Sequence, residues 1–472
     1  MTHQNIGPNI NRLVFHEDAS LPQVRIASDS MRMREVFRGH LRPFGRNTYR
    51  IQDCVLACVK YRQADRCLLQ YNLRLVDAKT GQESIQWVTG LIGPGNFAEQ
   101  MWQEHQASDR KSENPSAFQT FEPVSFIPKL GMLVHVFPYD RRLLSLPLFI
   151  AGPPSAVKRL LIAEFGPGKW HAEAWDTDLI RYRAEKTSVL RYLVKAQHGT
   201  TGKSEERRFY LKIYGNENGV ETYRVLRRLW SRENTKSENF MVARPIAYLS
   251  GVHALIQEEA SGISFQQILQ CGPDEEAASA ARKVAAALAA LHFDQIPTTR
   301  QHLFHKEVRR LKKDWETLRS ACPHLKKELD AVVGAIVAGL EEVPLRPAHL
   351  DLKTDHILFN GGRCTLLDFD SFAEADPILD AARMLAQIGA MRFRFPVPEA
   401  RLRMAACAFD EEYFNRVPED WRKRLRMVYA SAILRVSLGF LRRHESQWPE
   451  TVAVLLFEAN RSLAGRFWWK ET

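Results

Sequence analysis

Two aspartates some way past the middle of this sequence are spaced to do chemistry. Asp351 lies in His349–Phe359, HLDLKTDHILF, and Asp368 lies in Leu366–Ser371, LLDFDS. Between them come an apolar trio (Ile357, Leu358, Phe359), a Gly361-Gly362 hairpin and a second apolar strand. This order predicts a short strand or turn carrying Asp351 next to a strand ending in Asp368, so that two carboxylates reach the ends of adjacent strands. Phosphoryl transfer from a nucleotide needs such a pair, because one acid orients the attacking hydroxyl while the other holds the metal ion that neutralises the phosphates. His356, after Asp351, adds a side chain that can ligate a cation. A His two residues before an Asp is by itself an ordinary turn, and it is the composite that carries the chemistry.

A phosphate-binding cation has to come from another element. Lys212 closes an apolar strand, FYLKIY, where a charge is costly unless it meets a phosphate oxygen or a carboxylate. Glu221 heads the next helical stretch, ETYRVLRRLW, whose Val225, Leu226 and Leu229 form one apolar stripe. The strands leading to Lys212 open at Tyr182-Arg183 and turn at Thr201-Gly202; about 120 residues earlier the same pattern opens at Tyr61-Arg62 and turns at Thr80-Gly81. Tyr61 and Tyr71 recur as Tyr182 and Tyr192. A helical piece (Phe97–His105, then a helix from Gly219) and strands around Gly131, then Gly251, follow in the same order. The pattern predicts a duplicated β-rich unit. Its first copy has Leu91, in GLIG, where the second has Lys212, and it runs on into Pro138-Tyr139-Asp140 and a Leu-rich stretch, Leu143–Leu148, expected to be buried against its neighbour. Nucleotide binding is therefore not expected in the first copy. GTTGKS (Gly199–Ser204) resembles the end of a P-loop, but Gln197 stands where the leading Gly belongs and the segment joins two strands, which makes it a hairpin turn.

At 472 residues, 45% of them hydrophobic, the chain has material for two or three domains. The net charge of +11 comes from Lys and Arg spread among acids, without a zinc finger, an aromatic-rich strand signature or a basic helix. No specific nucleic acid is expected as a partner; a surface that welcomes polyphosphate is. Seven cysteines without a C-x-x-C pair predict reduced thiols. No charged-then-apolar leader opens the sequence and no long apolar run interrupts it, so a cytoplasmic protein without a membrane partner is expected.

Residues 1–45 are expected to be irregular, punctuated by Pro8, Pro22 and Pro43. Leu255–Ala260 reads as a strand entering a polar linker broken at Gly262. Helices are expected over Glu275–Phe293, Lys306–Arg319 and Leu325–Leu340, followed by a helical tail from Asp376-Pro377 to Trp469. Leu385 and Ile388, then Tyr429, Ile433, Val436 and Phe440, then Val454 and Leu455 are its expected core stripes.

Lys212, Glu221, ALAALH (Ala287–His292), HLDLKTDH, LLDFD and DPILDAA together resemble the aminoglycoside phosphotransferase and choline kinase family of kinase-like small-molecule kinases, over residues 178–440. The resemblance implies an α+β, protein-kinase-like two-lobe fold: a β-rich N-lobe over residues 166–260 and a helical C-lobe with the catalytic loop over 261–472, preceded by an N-lobe-like β-rich domain over 1–165. It implies ATP as cofactor, with Lys212 on its phosphates, Glu221 paired with Lys212, and Glu258 and Ala260 among the cofactor-binding residues. It further implies Asp351 as catalytic acid-base with Lys353 beside it, Asp368 and His356 on Mg²⁺ (Mn²⁺ as the alternative), His349 as a structural residue and Asp380 as a brace of the catalytic loop. Three positions depart from the family pattern: His356 stands for the usual Asn, Leu350 for a Gly, and the turn Ala184–Ser188, AEKTS, has no glycine to admit phosphates close to the backbone. Lys353 completes H-x-D-x-K as in serine/threonine protein kinases, but only seven residues separate Asp368 from Asp376, too few for a peptide-docking segment.

The function expected from this sequence is ATP-dependent phosphorylation of a hydroxyl on a small molecule, such as an aminoglycoside, an amino alcohol or a sugar-like compound. Intramolecular regulation by the N-terminal domain is expected with it. The alternative is a weak or inactive nucleotide-binding pseudokinase that serves as a scaffold.

Overall fold

The computed structural model describes residues 20–470 apart from 46–47, 63–64, 108–119, 234–239, 444 and 446. The chain is α+β and forms two compact units, one comprising residues up to Glu217 with Leu249–Ile256, the other Asn218–Tyr248 with Gln257 onward.

The first unit opens with two helices, α1 (Val24–Ala27) and α2 (Ser30–His40), where the sequence suggested irregular chain. The side chain of Asp29 caps α2 by accepting from the amides of Met31 and Arg32, and Met33 and Phe37, one turn apart, are fully buried. Three long strands follow, β1 (Tyr49–Arg62), β2 (Arg66–Asp77) and β3 (Glu83–Ile92), then α3 (Phe97–Ala107), β4 (Val124–Ile127) and β5 (Met132–Val136). Their sheet runs β1-β2-β3-β5-β4. Strand β2 shows why it forms: Leu69, Tyr71, Leu73 and Leu75 alternate onto the face covered by Met33 and Phe37. Helices α4 (Leu146–Ile150) and α5 (Ser155–Ala163) lead into β6 (Trp170–Arg183), β7 (Thr187–His198) and β8 (Ser204–Tyr214). Leu143 and Leu146 are buried as expected, whereas Leu144 and Leu148 are exposed.

Next come α6 (Asn218–Glu233), β9 (Met241–Val242), β10 (Pro245–Leu249) and β11 (Ala254–Glu258), and the second large sheet has the order β10-β11-β8-β7-β6. Read from β6, this is the order of the first sheet. β6 and β7 start and end 121 positions after β1 and β2 (49 to 170, 62 to 183; 66 to 187, 77 to 198). The register repeats as well: Leu91 lies opposite Leu68, and Lys212 lies opposite Val189. Gly199–Ser204 is the β7–β8 turn, a hairpin between two strands in which Gly202 has a left-handed φ of +68°, and it opens no helix.

In the second unit β12 (Ile263–Ser264) precedes α7 (Phe265–Cys271), α8 (Asp274–His292), α9 (Phe304–Ala321) and α10 (Lys326–Gly339). The alanines of α8 let it lie closely on a later helix, α12 (Glu399–Phe414), and Ala281, Ala285 and Leu288 are fully buried. β13 (Arg346–Ala348), β14 (Ile357–Asn360), β15 (Arg363–Leu366) and β16 (Ala373–Ala375) flank the segments that carry Asp351 and Asp368, and α11 (Ile378–Ala390), α12, α13 (Glu419–Arg443) and α14 (Trp448–Leu463) complete the unit. Gly361 and Gly362 turn the β14–β15 hairpin with φ of +56° and +80°, a pair of left-handed residues that side chains other than glycine adopt at a cost. Tyr429, Ile433 and Phe440 are buried as their periodicity requires. Val454 is not: it is 47% exposed beside buried Leu455 and Leu456, because neighbours on a helix point about 100° apart and Val454 falls on the outward face. No helix among the described residues is long and apolar enough to cross a membrane.

Candidate active site

Asp351 sits in the loop between β13 and β14. β13 pairs with β16, Ala348 opposite Ala373, and this pairing fixes where the loop begins. Its backbone is then held from α11. Both carboxylate oxygens of fully buried Asp380 accept loop amides, Oδ2 from His349 N at 2.6 Å and Oδ1 from Leu350 N at 2.7 Å. Burial alone would raise the Asp380 carboxyl; the hydrogen bond with His292, together with the influence of His292, His349 and Arg383, outweighs it and keeps the carboxyl below the usual carboxylate range. His292 Nε2 lies 3.2 Å from Asp380 Oδ2, and its Nδ1 lies 2.9 Å from the Tyr413 hydroxyl. One turn after Asp380, Arg383 donates through Nη1 to Leu350 O, and Gln387 donates to Leu352 O at 3.1 Å. Leu350 has φ +63°, a left-handed conformation strained for a leucine that a glycine would adopt at little cost. The brace expected of Asp380 is present, and Arg383, Gln387, His292 and Tyr413 extend it beyond what the sequence indicated.

Held in this way, the loop presents Asp351 with its side chain 38% exposed and Lys353 Nζ 3.0 Å from its Oδ2. Partial burial would raise the Asp351 carboxyl, but the neighbouring Lys353 ammonium prevails and holds it below the ordinary range. It is therefore ionised at neutral pH, as a proton acceptor must be.

Asp368 lies two residues past β15, not at its last residue, with φ +66° and a side chain 21% exposed. Two hydrogen bonds stitch this segment to the catalytic loop: His349 Nε2 donates to Leu367 O at 2.9 Å, and Leu367 N donates to His356 O at 2.9 Å. They leave the His356 ring beside Asp368, Nε2 to Oδ2 3.9 Å, while its buried Nδ1 makes no hydrogen bond. Burial, helped by Lys353, pushes the imidazole down to about 4, against the upward pull of Asp368, so the ring is neutral at physiological pH and does not titrate near the 6.5 of a free histidine. Among the described residues no three His, Cys, Asp or Glu side chains gather into a ready-made metal site. One carboxylate with a neutral imidazole beside it nevertheless fits a divalent cation that draws its other ligands from water and phosphate.

The remaining candidates stand on other elements. Lys212 is on β8 in the first unit, its Nζ 5.6 Å from the centre of the Tyr214 ring. Glu221 is in the first turn of α6, in the second unit, above the buried stripe of Val225, Leu226 and Leu229. Within that unit its Oε1 accepts from Thr298 Oγ1 at 2.9 Å and Thr299 N at 3.0 Å, two partners without a signal in the sequence. Thr222, next on α6, lies 3.5 Å from Asp370 Oδ1, and Arg300 donates to Asp370 O at 2.7 Å, which ties the start of α6 to the segment after Asp368. Glu258 ends β11 and is salt-bridged to Arg244 at 2.7 Å; Ala260 is half-buried in the linker beyond.

Residues 180–424, more than half of the chain, match the sequence profile of the phosphotransferase enzyme family. The chain belongs to that family. Lys212, Glu221, Asp351, Asp368 and Asp380 all lie inside the matched span, and the first β-rich copy lies outside it. No curated protein matches the chain. Among solved structures it is similar to the choline kinase of Cryptosporidium parvum Iowa II (12% identity over 62% of this chain and 89% of that one, TM-score 0.39). It is similar also to a choline/ethanolamine kinase family protein from Mesorhizobium loti (15% identity, 61% and 91%, TM-score 0.39) and to APH(2")-IIia in complex with GDP and kanamycin (14% identity, 66% and 100%, TM-score 0.40).

Proposed function

We propose that this family member transfers the terminal phosphoryl group of ATP to a hydroxyl of a small molecule in the cytoplasm. The observation that carries this reading is the pairing of an ionised, accessible Asp351 with Lys353 on a loop whose backbone is pinned at His349, Leu350 and Leu352. Asp351 would accept the proton of the attacking hydroxyl, and Lys353 would hold the carboxylate in place between turnovers. Lys212 would contact the nucleotide phosphates, whose other neighbour in the first unit would be the β6–β7 turn; Glu221 would support Lys212, and Glu258 and Ala260 would line the nucleotide. Asp368, with His356 beside it, would hold Mg²⁺ or Mn²⁺, which when bound neutralises charge on the phosphates. The first β-rich copy would bind no nucleotide, since Leu91, in place of the lysine, is 1% exposed in an apolar cluster. Aminoglycosides, amino alcohols and sugar-like compounds are the acceptor classes to test. A nucleotide-binding pseudokinase is the second reading, favoured by an imidazole where magnesium prefers oxygen.

Incubation of the protein with ATP and Mg²⁺ or Mn²⁺ over a panel of hydroxyl compounds is expected to give phosphate transfer to at least one of them. ATP binding with neither transfer nor hydrolysis under either metal would overturn the enzyme reading in favour of the pseudokinase.

A further inference from the structure

The turn between β6 and β7 is held by residues of the first β-rich copy, all within one compact unit. Glu185, at its centre, has φ +58°, a left-handed conformation that is strained for a side-chain-bearing residue and persists where the surroundings over-determine it. The surroundings do so here. Buried Asp140 accepts Glu185 N through Oδ2 at 2.8 Å, and the same oxygen accepts the Tyr182 hydroxyl at 2.8 Å. Its Oδ1 accepts the amides of Arg142 and Leu143, so the carboxylate is itself fixed. Arg141 grips the Glu185 carboxylate with two hydrogen bonds, Nε to Oε1 at 2.8 Å and Nη2 to Oε2 at 3.0 Å. Burial would raise that carboxyl, and the Arg141 contacts override it. From β1, Lys60 Nζ donates to Ala184 O at 2.6 Å. The Tyr182 ring stacks on Trp87 at 6.0 Å and meets Phe137 edge-on at 4.9 Å. Leu91, the residue in place of the second copy's lysine, belongs to the apolar cluster that buries Ala184.

We infer that Lys60, Asp140 and Arg141 are positioning residues for the nucleotide: the first copy holds the glycine-less turn Ala184–Ser188 in the one conformation that admits the phosphates. The inference rests on the proposed function, in which that turn borders the phosphates. Where a glycine would reach a left-handed conformation unaided, Glu185 reaches it through partners supplied by the first copy and the segment that follows it, and the loss of the first copy's own lysine leaves an apolar surface for the turn to pack on. The first copy thus has a task that requires no nucleotide of its own.

The test is a double-mutant cycle on the full-length protein, with MgATP affinity measured by calorimetric titration beside thermal unfolding. Arg141→Ala and Glu185→Ala are each expected to weaken MgATP binding about tenfold, and the double variant is expected to be no weaker than the poorer single one, because both remove the same contact. Arg141→Lys, which keeps one charged donor, should recover part of the affinity and covers the case in which Arg141→Ala does not fold. Wild-type MgATP affinity in a folded Arg141→Ala or Glu185→Ala variant, with only the unfolding temperature lowered, would reduce the clamp to a structural contact and overturn the inference. Failure of the wild-type protein itself to bind MgATP would instead overturn the nucleotide reading, and this inference with it.

Discussion

Asp351→Asn is expected to bind ATP as the wild type does and to lose turnover by at least about 10²-fold. The amide keeps the size of the side chain and, because the loop is pinned through backbone groups by Asp380, Arg383 and Gln387, the substitution leaves the fold of the loop intact. What it removes is the carboxylate proposed as proton acceptor, held ionised beside Lys353. Steady-state turnover with the best acceptor, set against an ATP titration, separates the two effects. A fall in ATP affinity without a fall in turnover would assign Asp351 to binding instead of chemistry.

Asp380→Ala is expected to destabilise the protein by about 3 kcal/mol, since it leaves two buried amides and the buried His292 without their acceptor. The same loss frees His349 and Leu350, so activity should fall with stability even though Asp380 touches no reacting atom. The contribution also depends on pH. The carboxyl is held below its unfolded value, so its stabilisation is present in full above the unfolded carboxylate range, near about pH 4, and fades as the pH falls through and below that range. Chemical denaturation of wild type and variant at neutral pH and at acid pH should give curves that converge in acid; an equal gap at both would show that Asp380 contributes nothing through its charge.

The catalytic segment was legible because its structure is written locally. The H-x-D pattern, the glycine pair of the hairpin, the second Asp and Asp380 are close in sequence, and each hydrogen bond that joins them spans a few tens of residues at most. Arg383 carried a usable signal too, since it follows Asp380 by one helical turn and so faces the same loop. His292 was visible only as part of ALAALH; its partner Tyr413 is 121 residues distant and gave no pattern. The repeat of strand spacing was legible as well, because alternation and turn residues survive where side-chain identity does not. Helix α2 was obscured by the prolines around it, although Asp29 before SMRMREVF, with Met33 and Phe37 one turn apart, is a sufficient start signal. The clamp on Glu185 could not be read, because Asp140 and Arg141 looked only like a departure from the repeat and their partner lies more than 40 residues further on.

The proposed function requires a single metal-dependent ATP site at Asp368. Calorimetric titration of full-length wild type and of Asp368→Ala with ATP, each with and without Mg²⁺, tests it most directly. One nucleotide is expected per wild-type chain, bound more tightly with Mg²⁺, with no gain from Mg²⁺ in Asp368→Ala. Two nucleotides per chain, or a variant that keeps the full Mg²⁺-dependent gain, would contradict it.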